Sequence, residues 1–299
     1  MTDSIMGSRN TGGVMTAEAI DCAYSVAGEG PPLFLIHGIG AARNTWAKLM
    51  PLLTSHYTVV TYDLRGHGVS PLPDGEFGLD ELVADLEAIR IKTGFEEAHF
   101  AGHSLGGMIG PAYAYAFPDR VLSLGLLSTA AFRTEEDSQK VLGVVKAMED
   151  RGIPDVLETL TDRWFTDGFI QTHGDVVRRR LDQVISTDPD VFLNVFRIYA
   201  TTEMAPWLHE VTAPSLVLTG ENDGGCNPRL NRLITAALPV SQLQILPGYK
   251  HSLLLEAGED VAKHLHQFIQ SLSGRKSPYK GQAQSQKTNT PRLKARGCK

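Results

Sequence analysis

The chain has 299 residues and a formal net charge of −6, with 42% hydrophobic and 21% charged residues. This composition is typical of one large globular domain or two ordinary ones, and it excludes a disulfide-stabilised miniprotein, a collagen-like rod and wholesale disorder. The acidic balance argues against nucleic-acid binding, and no apolar run reaches the ~18–20 residues of a membrane-spanning helix.

The first half of the chain alternates buried strands with helices. The run 20–26 has alternating hydrophobicity and predicts part of an antiparallel edge hairpin. Continuous apolar runs follow at 33–37, 57–62, 98–101 and 122–127, and such runs are typical of strands covered on both faces. Leu82, Leu86 and Ile89 recur at helical spacing within 79–93. We therefore predict a mostly parallel sheet with helices on both faces.

The second half interrupts this alternation with a helical block at 132–212. Thr134 followed by Asp137 resembles a capping box, and it precedes an apolar series at helical spacing. Strands return at 215–219 and 243–246, followed by a helix near 261–272. The predicted domains are an α/β core at 19–131 and 213–272, a helical cap at 132–212 and a polar N-terminal segment at 1–18.

Eight basic residues and no acidic residue occupy the last segment, 273–299, which we interpret as a disordered basic tail. A polybasic arm for an acidic partner is the alternative. Cys22, Cys226 and Cys298 are far apart and lack metal-ligand spacing, so we expect free thiols and no metal site. Without an apolar secretory signal near the N-terminus, a cytoplasmic location is the default expectation.

The strongest chemical signal is the run Gly102-His103-Ser104-Leu105-Gly106-Gly107. It lies between the strand at 98–101 and a helical run at 105–117, which is the setting of a nucleophile elbow. The sharp turn needs small flanking residues, and it exposes the serine hydroxyl at the start of a helix, where unpaired N–H groups favour developing negative charge. We predict Ser104 as the nucleophile, and the alternative is a plain glycine-rich turn.

A serine hydroxyl needs a base, and the base needs an orienting group. Asp223 and His251 each follow the end of a late strand, where α/β sheets keep their sites, and we predict them as acid and base. Glu221 is the competing acid but lies nearer its strand. His103 is better placed to pack within the elbow than to act as the base.

Hydrolysis through a tetrahedral intermediate also requires two N–H donors for its oxyanion. The glycine-bounded loop His37-Gly38-Ile39-Gly40 follows a buried strand, and we predict that the amides of Ile39 and Leu105 supply these donors. A tight turn that needs glycine is a compatible structural interpretation of the loop.

Together these features resemble the α/β-hydrolase superfamily over residues ~20–272. The matching motifs are His37-Gly38, Asp63-Leu-Arg-Gly-His-Gly68, the Ser104 elbow, Gly220-Glu-Asn-Asp223 and Lys250-His251, in the order of the family. Within it, the chain is similar to the capped bacterial esterase, enol-lactonase and carbon–carbon hydrolase branch. The resemblance implies an eight-stranded, mostly parallel sheet and a Ser-His-Asp triad without a cofactor. It also implies a structural role for the segment 63–68, while Ser104 argues against relatives with an aspartate nucleophile.

Substrate contacts are less sharply defined by the sequence. Arg43, Asn44 and Lys250 could recognise an acidic substrate, although for Lys250 we favour an orientation toward solvent. Aromatic residues of the helical block would shape an apolar pocket; they are Trp164, Phe165, Phe192, Phe196 and Trp207.

The expected function is hydrolysis of a small carboxylic ester, lactone or related acyl compound, with the small-molecule substrate as partner and neither nucleic acid nor membrane involved. A homodimer is one option for the oligomeric state. The alternatives are a carbon–carbon bond hydrolase of a vinylogous diketo acid and a slow-turnover receptor for a small ligand on the same fold.

Overall fold

A computed structural model describes residues 17–273, and a seven-stranded sheet forms their centre. Six strands run parallel, and β1 lies antiparallel at one edge in the order β1-β3-β2-β4-β5-β6-β7. The strands are β1 (Tyr24–Ala27), β2 (Pro32–Ile36), β3 (Thr58–Tyr62), β4 (Ala98–His103), β5 (Val121–Leu127), β6 (Ser215–Gly220) and β7 (Ser241–Leu246). This architecture confirms the predicted fold class.

The edge of the sheet differs from the expectation in two respects. The sheet has seven strands in the described part of the chain, where the resemblance implied eight, and β1 pairs with β3 rather than forming a hairpin with a neighbour in sequence. Two N–H groups before β1 donate to side chains. The N–H of Ile20 donates to Asp85 Oδ1 at 2.8 Å, and the N–H of Ala23 donates to Ser70 Oγ at 2.9 Å. These two N–H groups are therefore not available to a further strand.

Eleven helices accompany the sheet in the same range. Those outside the helical block are α1 (Met50–Leu53), α2 (Leu79–Thr93), α3 (Gly106–Ala116), α9 (Pro228–Ala237), α10 (Leu253–Glu256) and α11 (Gly258–Ser273). Those between β5 and β6 are α4 (Glu135–Arg151), α5 (Ile153–Trp164), α6 (Asp167–Thr172), α7 (Gly174–Ile185) and α8 (Pro189–Thr201). No helix among residues 17–273 is long and apolar enough to cross a bilayer.

The sheet is buried on both faces, which explains the absence of alternation in its sequence. On β2, Phe34 and Ile36 pack into the core beneath α2, α3 and α9, while Leu33 and Leu35 pack into the core beneath α1 and α11. Since side chains alternate between faces, apolar residues occupy successive positions of such a strand instead of every second one. Each large side chain buried in this way contributes about 1.5–3 kcal/mol.

The helices between β5 and β6 have a core of their own. Val145, Leu157 and Phe192 from α4, α5 and α8 meet in it. At the start of α4 the predicted capping box is present: the N–H of Asp137 donates to Thr134 Oγ1 at 3.1 Å, and the N–H of Thr134 donates to Asp137 Oδ2 at 2.9 Å. The division into core and cap stays a prediction. The tail at 273–299 and the segment at 1–18 fall almost wholly outside the described residues.

Candidate active site

Ser104 occupies the turn between β4 and α3 in a left-handed conformation, with φ of 57°. A non-glycine residue rarely adopts this conformation, and such strain concentrates at functional sites. The flanking glycines allow two segments to approach each other. A Cβ at Gly102 would lie 1.9 Å from the Gly106 carbonyl oxygen, and one at Gly106 would lie 2.1 Å from the Ile36 carbonyl oxygen. The glycine spacing therefore holds Ser104 at the carboxyl edge of the sheet.

His251 and Asp223 meet at the same edge, after β7 and β6 respectively. The Nδ1–H of His251 donates to Asp223 Oδ2 at 2.8 Å. The other oxygen, Oδ1, accepts the backbone N–H groups of Gly225 at 3.0 Å and Cys226 at 2.8 Å. Because both carboxylate oxygens are held, Asp223 fixes the imidazole with Nδ1 protonated and Nε2 free to accept a proton.

His251 and Asp223 shift each other's pKa in opposite directions. Burial alone would lower the pKa of His251, but the charge and hydrogen bond of Asp223 outweigh it and raise that pKa to about 10. Burial would raise the pKa of Asp223, yet His251 and the two amide donors hold it below its usual value. The Asp223 carboxylate therefore stays ionised, and its negative charge stabilises the protonated form of His251.

Ser104, Asp223 and His251 line one cavity of about 420 Å³. This volume lies within the range of small-molecule sites. The Ser104 hydroxyl and the His251 Nε2 have no hydrogen-bond partner among residues 17–273, and neither atom is a buried unsatisfied group. Both atoms therefore stay accessible from the cavity. Catalytic hydrogen bonds commonly tighten only when substrate binds.

The loop expected to complete the oxyanion hole lies against the elbow. A Cβ at Gly38 would be 3.0 Å from both the Ser104 Cβ and the His103 carbonyl oxygen. In the described part of the chain, the amides of Ile39 and Leu105 donate to no protein acceptor. Free N–H groups beside a nucleophile are what an oxyanion requires.

The two competing groups considered from the sequence have other roles. His103 Nε2–H donates to the His251 carbonyl oxygen at 3.0 Å, so this nitrogen cannot accept a proton. Burial, together with the nearby His251, lowers the pKa of His103 to about 3. Glu221 is exposed and accepts the N–H of Gly248 at 2.9 Å, away from the imidazole.

Two of the four predicted substrate contacts lie outside the cavity wall. The Arg43 guanidinium lies 3.5 Å from Asp63, whose carboxylate also accepts the Arg43 N–H, and Asp63 thus has the structural role implied for its segment. The Lys250 ammonium donates to the Asp162 carbonyl oxygen at 2.8 Å and to Asp167 Oδ1 at 3.0 Å, which turns it toward the helices above. Trp164 and Phe196 do line the cavity.

The sequence reasoning missed the three arginines of the cavity wall, which are Arg180, Arg133 and Arg163. Arg180 of α7 donates through Nη2 to the Ile39 carbonyl oxygen at 2.9 Å and through Nη1 to that of Gly40, and its guanidinium lies 5.5 Å from the Trp164 ring. Burial lowers the pKa of Arg180 to about 10. Arg133, just after β5, is the second. None of the three arginines belongs to a local motif, so only the tertiary fold could reveal them.

One group of possible metal ligands exists among residues 17–273, formed by Asp223, Cys226 and His251 with ligand atoms within 4.8 Å of one another. Cys226 is a free buried thiol, like Cys22, and it contacts the Tyr199 hydroxyl at 3.2 Å. The carboxylate and the imidazole of this group already bond to each other. The arrangement is therefore that of an acid–base pair with a neighbouring thiol.

Comparison with known proteins agrees with this fold. The model of the α/β-hydrolase fold family matches residues 31–167. A 3-oxoadipate enol-lactonase from Acinetobacter baylyi is 26% identical over 211 residues, which cover 70% of this chain and 78% of that protein.

Solved structures share the same fold. An enol-lactonase from Burkholderia xenovorans has a TM-score of 0.77 at 24% identity, covering 83% of this chain and 96% of that one. A thermophilic esterase from Thermogutta terrifontis also has a TM-score of 0.77, at 23% identity, covering 85% of this chain and 94% of that one. The chain has the α/β-hydrolase fold and is a hydrolase.

Proposed function

We propose that the chain hydrolyses a small carboxylic ester or lactone through Ser104, His251 and Asp223. The observation that carries the proposal is the His251–Asp223 hydrogen bond of 2.8 Å on the same cavity as the strained Ser104. The relatives named enol-lactonase and esterase support the same class of acyl substrate.

The reaction would begin with attack of Ser104 Oγ on the substrate carbonyl carbon. His251 accepts the serine proton at Nε2, because its Nδ1 is held by Asp223. The carbonyl oxygen becomes an oxyanion, which the amides of Ile39 and Leu105 stabilise. The loss of one such donor typically costs about 2.7–4 kcal/mol of barrier.

The same imidazole completes both halves of the reaction. His251 returns its proton to the leaving oxygen, and the acyl group remains on Ser104. A water molecule then gives a proton to His251 and attacks the acyl-enzyme, which releases the acid and restores the hydroxyl. In a lactone the leaving oxygen stays attached to the acyl group, so one hydroxy acid or its keto form leaves the site.

Turnover of short p-nitrophenyl esters by the purified protein tests this proposal. The wild-type chain should release p-nitrophenol, and Ser104→Ala should reduce kcat by several powers of ten. Ser138→Ala, which removes a hydroxyl from α4 outside the cavity wall, should retain the wild-type rate. Equal rates for wild type and Ser104→Ala would overturn the proposal. Saturable ligand binding with negligible turnover would favour a receptor.

A further inference from the structure

We propose that Arg133 forms an anion subsite in the cavity and that the substrate carries a carboxylate a few atoms from its scissile carbonyl. This inference deepens the proposed function and rests on it for the acyl chemistry. Arg133 is partly buried in the segment between β5 and α4, and it lines the same cavity as Ser104.

The Arg133 guanidinium is only half satisfied by the protein. Nη1 donates to the Thr202 carbonyl oxygen at 3.1 Å, and the flat face of the group lies 4.4 Å from the centre of the Tyr199 ring. Nε and Nη2 are buried and have no hydrogen-bond partner among residues 17–273. Unpaired donors of a buried cation are costly, and a native protein normally satisfies them.

The unsatisfied edge is the one that other arginines of this chain use to hold carboxylates. Arg65 binds Asp85 through Nε and Nη2, each at 2.8 Å. Arg197 uses the same two atoms on Glu149, at 3.2 Å and 2.7 Å. A planar fork of two N–H donors matches the two oxygens of a carboxylate. The free edge of Arg133 has this donor pattern without an acceptor.

The protein's own acids near this edge are already occupied. Glu203 accepts the backbone N–H groups of Phe132, Arg133 and Ala205. On the cavity wall, Asp137 pairs with Arg229, and Asp223 pairs with His251. No described carboxylate lies within ion-pair distance of Arg133. An anion brought by the substrate is therefore the missing partner.

The subsite is close to the reacting groups. Tyr199, on which Arg133 stacks, contacts the Cys226 thiol through its hydroxyl, and the Cys226 N–H donates to Asp223. One aromatic side chain thus separates the guanidinium from the loop that carries the acid. A short spacer between carboxylate and scissile carbonyl suits this arrangement. Because Nε and Nη2 are covered by protein, the side chain must turn toward the cavity as the anion enters.

Two methyl esters of equal acyl length test the subsite. Monomethyl glutarate carries the carboxylate and methyl pentanoate does not, and a pH-stat follows both reactions. The wild-type kcat/KM should be at least about 10-fold higher for the charged ester. Arg133→Gln should lower that value about 10-fold to 100-fold and lower kcat/KM for the neutral ester by a clearly smaller factor, so that the preference for the charged ester is lost. Arg133→Lys keeps the positive charge but lacks the pair of parallel N–H donors. Its kcat/KM for the charged ester should lie between the values of the wild type and Arg133→Gln.

Arg197→Gln is the matched control, because it removes an exposed guanidinium that uses the same edge outside this cavity. It should leave both esters unchanged. Equal kcat/KM values for the two esters in the wild type, or an unchanged preference in Arg133→Gln, would overturn the subsite even if both esters are hydrolysed.

Binding separates failure of the subsite from failure of the proposed chemistry. Titration calorimetry should detect glutarate binding to Ser104→Ala, and binding should weaken at least about 10-fold when Arg133→Gln is added. This result would support the subsite even if neither ester were hydrolysed, in which case the proposed hydrolysis alone would fail. Equal glutarate affinity with and without Arg133 would contradict the subsite.

Discussion

At the scale of single residues, Asp223 controls the proton affinity of His251. In the proposed mechanism only the neutral imidazole can accept the serine proton, so kcat/KM should increase with pH as His251 deprotonates. Its pKa is raised to about 10, largely by Asp223, so we expect the acidic limb of the profile above the ordinary histidine value of 6.5. Asp223→Asn removes the opposing charge, and the effect of burial should then move the limb to lower pH. The measurement is kcat/KM for a neutral ester across pH.

The same substitution should lower kcat by about 10⁴-fold, because the imidazole loses its fixed tautomer. Glu221→Gln provides the matched control, since it neutralises a nearby exposed carboxylate that does not contact His251. Glu221→Gln should leave both kcat and the pH of the acidic limb of the kcat/KM profile unchanged. An acidic limb that stays at the same pH in Asp223→Asn would contradict the assignment of the acid.

Residues that belong to a local pattern could be predicted, and residues positioned by the fold could not. The prediction of Ser104 rests on glycine spacing between a strand and a helix, and the structure places it in the left-handed turn expected there. Lys250 is adjacent to His251 in sequence, but successive side chains point in different directions, and its ammonium reaches Asp167 instead of the cavity. The position of Arg133 depends on packing between β5 and α8, which no spacing rule encodes.

At the scale of elements, close packing between the elbow and β2 leaves no room for a side chain at Gly106. Its added Cβ would meet the backbone oxygen of Ile36 at 2.1 Å, so Gly106→Ala should destabilise the fold by at least about 3 kcal/mol. Gly110 lies in the same helix, α3, and its Cβ would meet only the Leu124 side chain at 3.6 Å. Gly110→Ala should therefore be neutral or stabilising by about 0.5–1 kcal/mol. Urea midpoints for the two variants measure the difference, and equal midpoints would refute the packing argument.

The helix α7 contacts the loop 37–40, which carries the proposed oxyanion donor Ile39. The contact is made by Arg180, which donates to the carbonyl oxygens of Ile39 and Gly40. Replacing it with methionine should loosen the loop and misplace the Ile39 amide. We expect kcat to fall about 10-fold to 100-fold with little change in KM, because a small misplacement affects the transition state most. Arg178→Met removes an exposed cation from the same helix and should keep wild-type kcat. Equal kcat values for the two variants would show that Arg180 does not position the loop.

The central elements were predictable because their burial is encoded along the chain. Continuous apolar runs mark strands such as β2, and regular spacing marks the helix Leu79–Thr93, whose predicted and observed bounds agree. The edge was not predictable, because pairing there depends on distant partners. Asp85 and Ser70, which are far along the chain, accept the N–H groups of Ile20 and Ala23.

At the scale of the whole molecule, the cavity is shared between the sheet edge and the helices between β5 and β6. Trp164 at the end of α5 lines it, so Trp164→Ala should enlarge the space for the acyl chain. We expect the preference to move toward longer acyl groups, by up to roughly fourfold in kcat/KM for each added methylene, from about 0.8 kcal/mol per buried CH₂. A series of p-nitrophenyl esters from acetate to octanoate measures the shift.

Trp207 offers the control for this prediction. The sequence suggested that it would shape the pocket, but its ring packs 5.3 Å from that of Tyr115, outside the cavity wall. Trp207→Ala should leave the chain-length preference unchanged. An unchanged preference in Trp164→Ala as well would show that this part of the helical block does not select the acyl group. The contrast between the two tryptophans also shows why aromatic content predicts a pocket but does not predict which rings line it.

The most direct test of the account is labelling with a fluorophosphonate, which forms a covalent bond only with an activated serine. Mass spectrometry of the intact protein and of its peptides should find one label, on Ser104, and His251→Ala should slow labelling by at least about 10³-fold. Labelling of another residue, or equal labelling rates for wild type and His251→Ala, would contradict the claim that His251 activates Ser104.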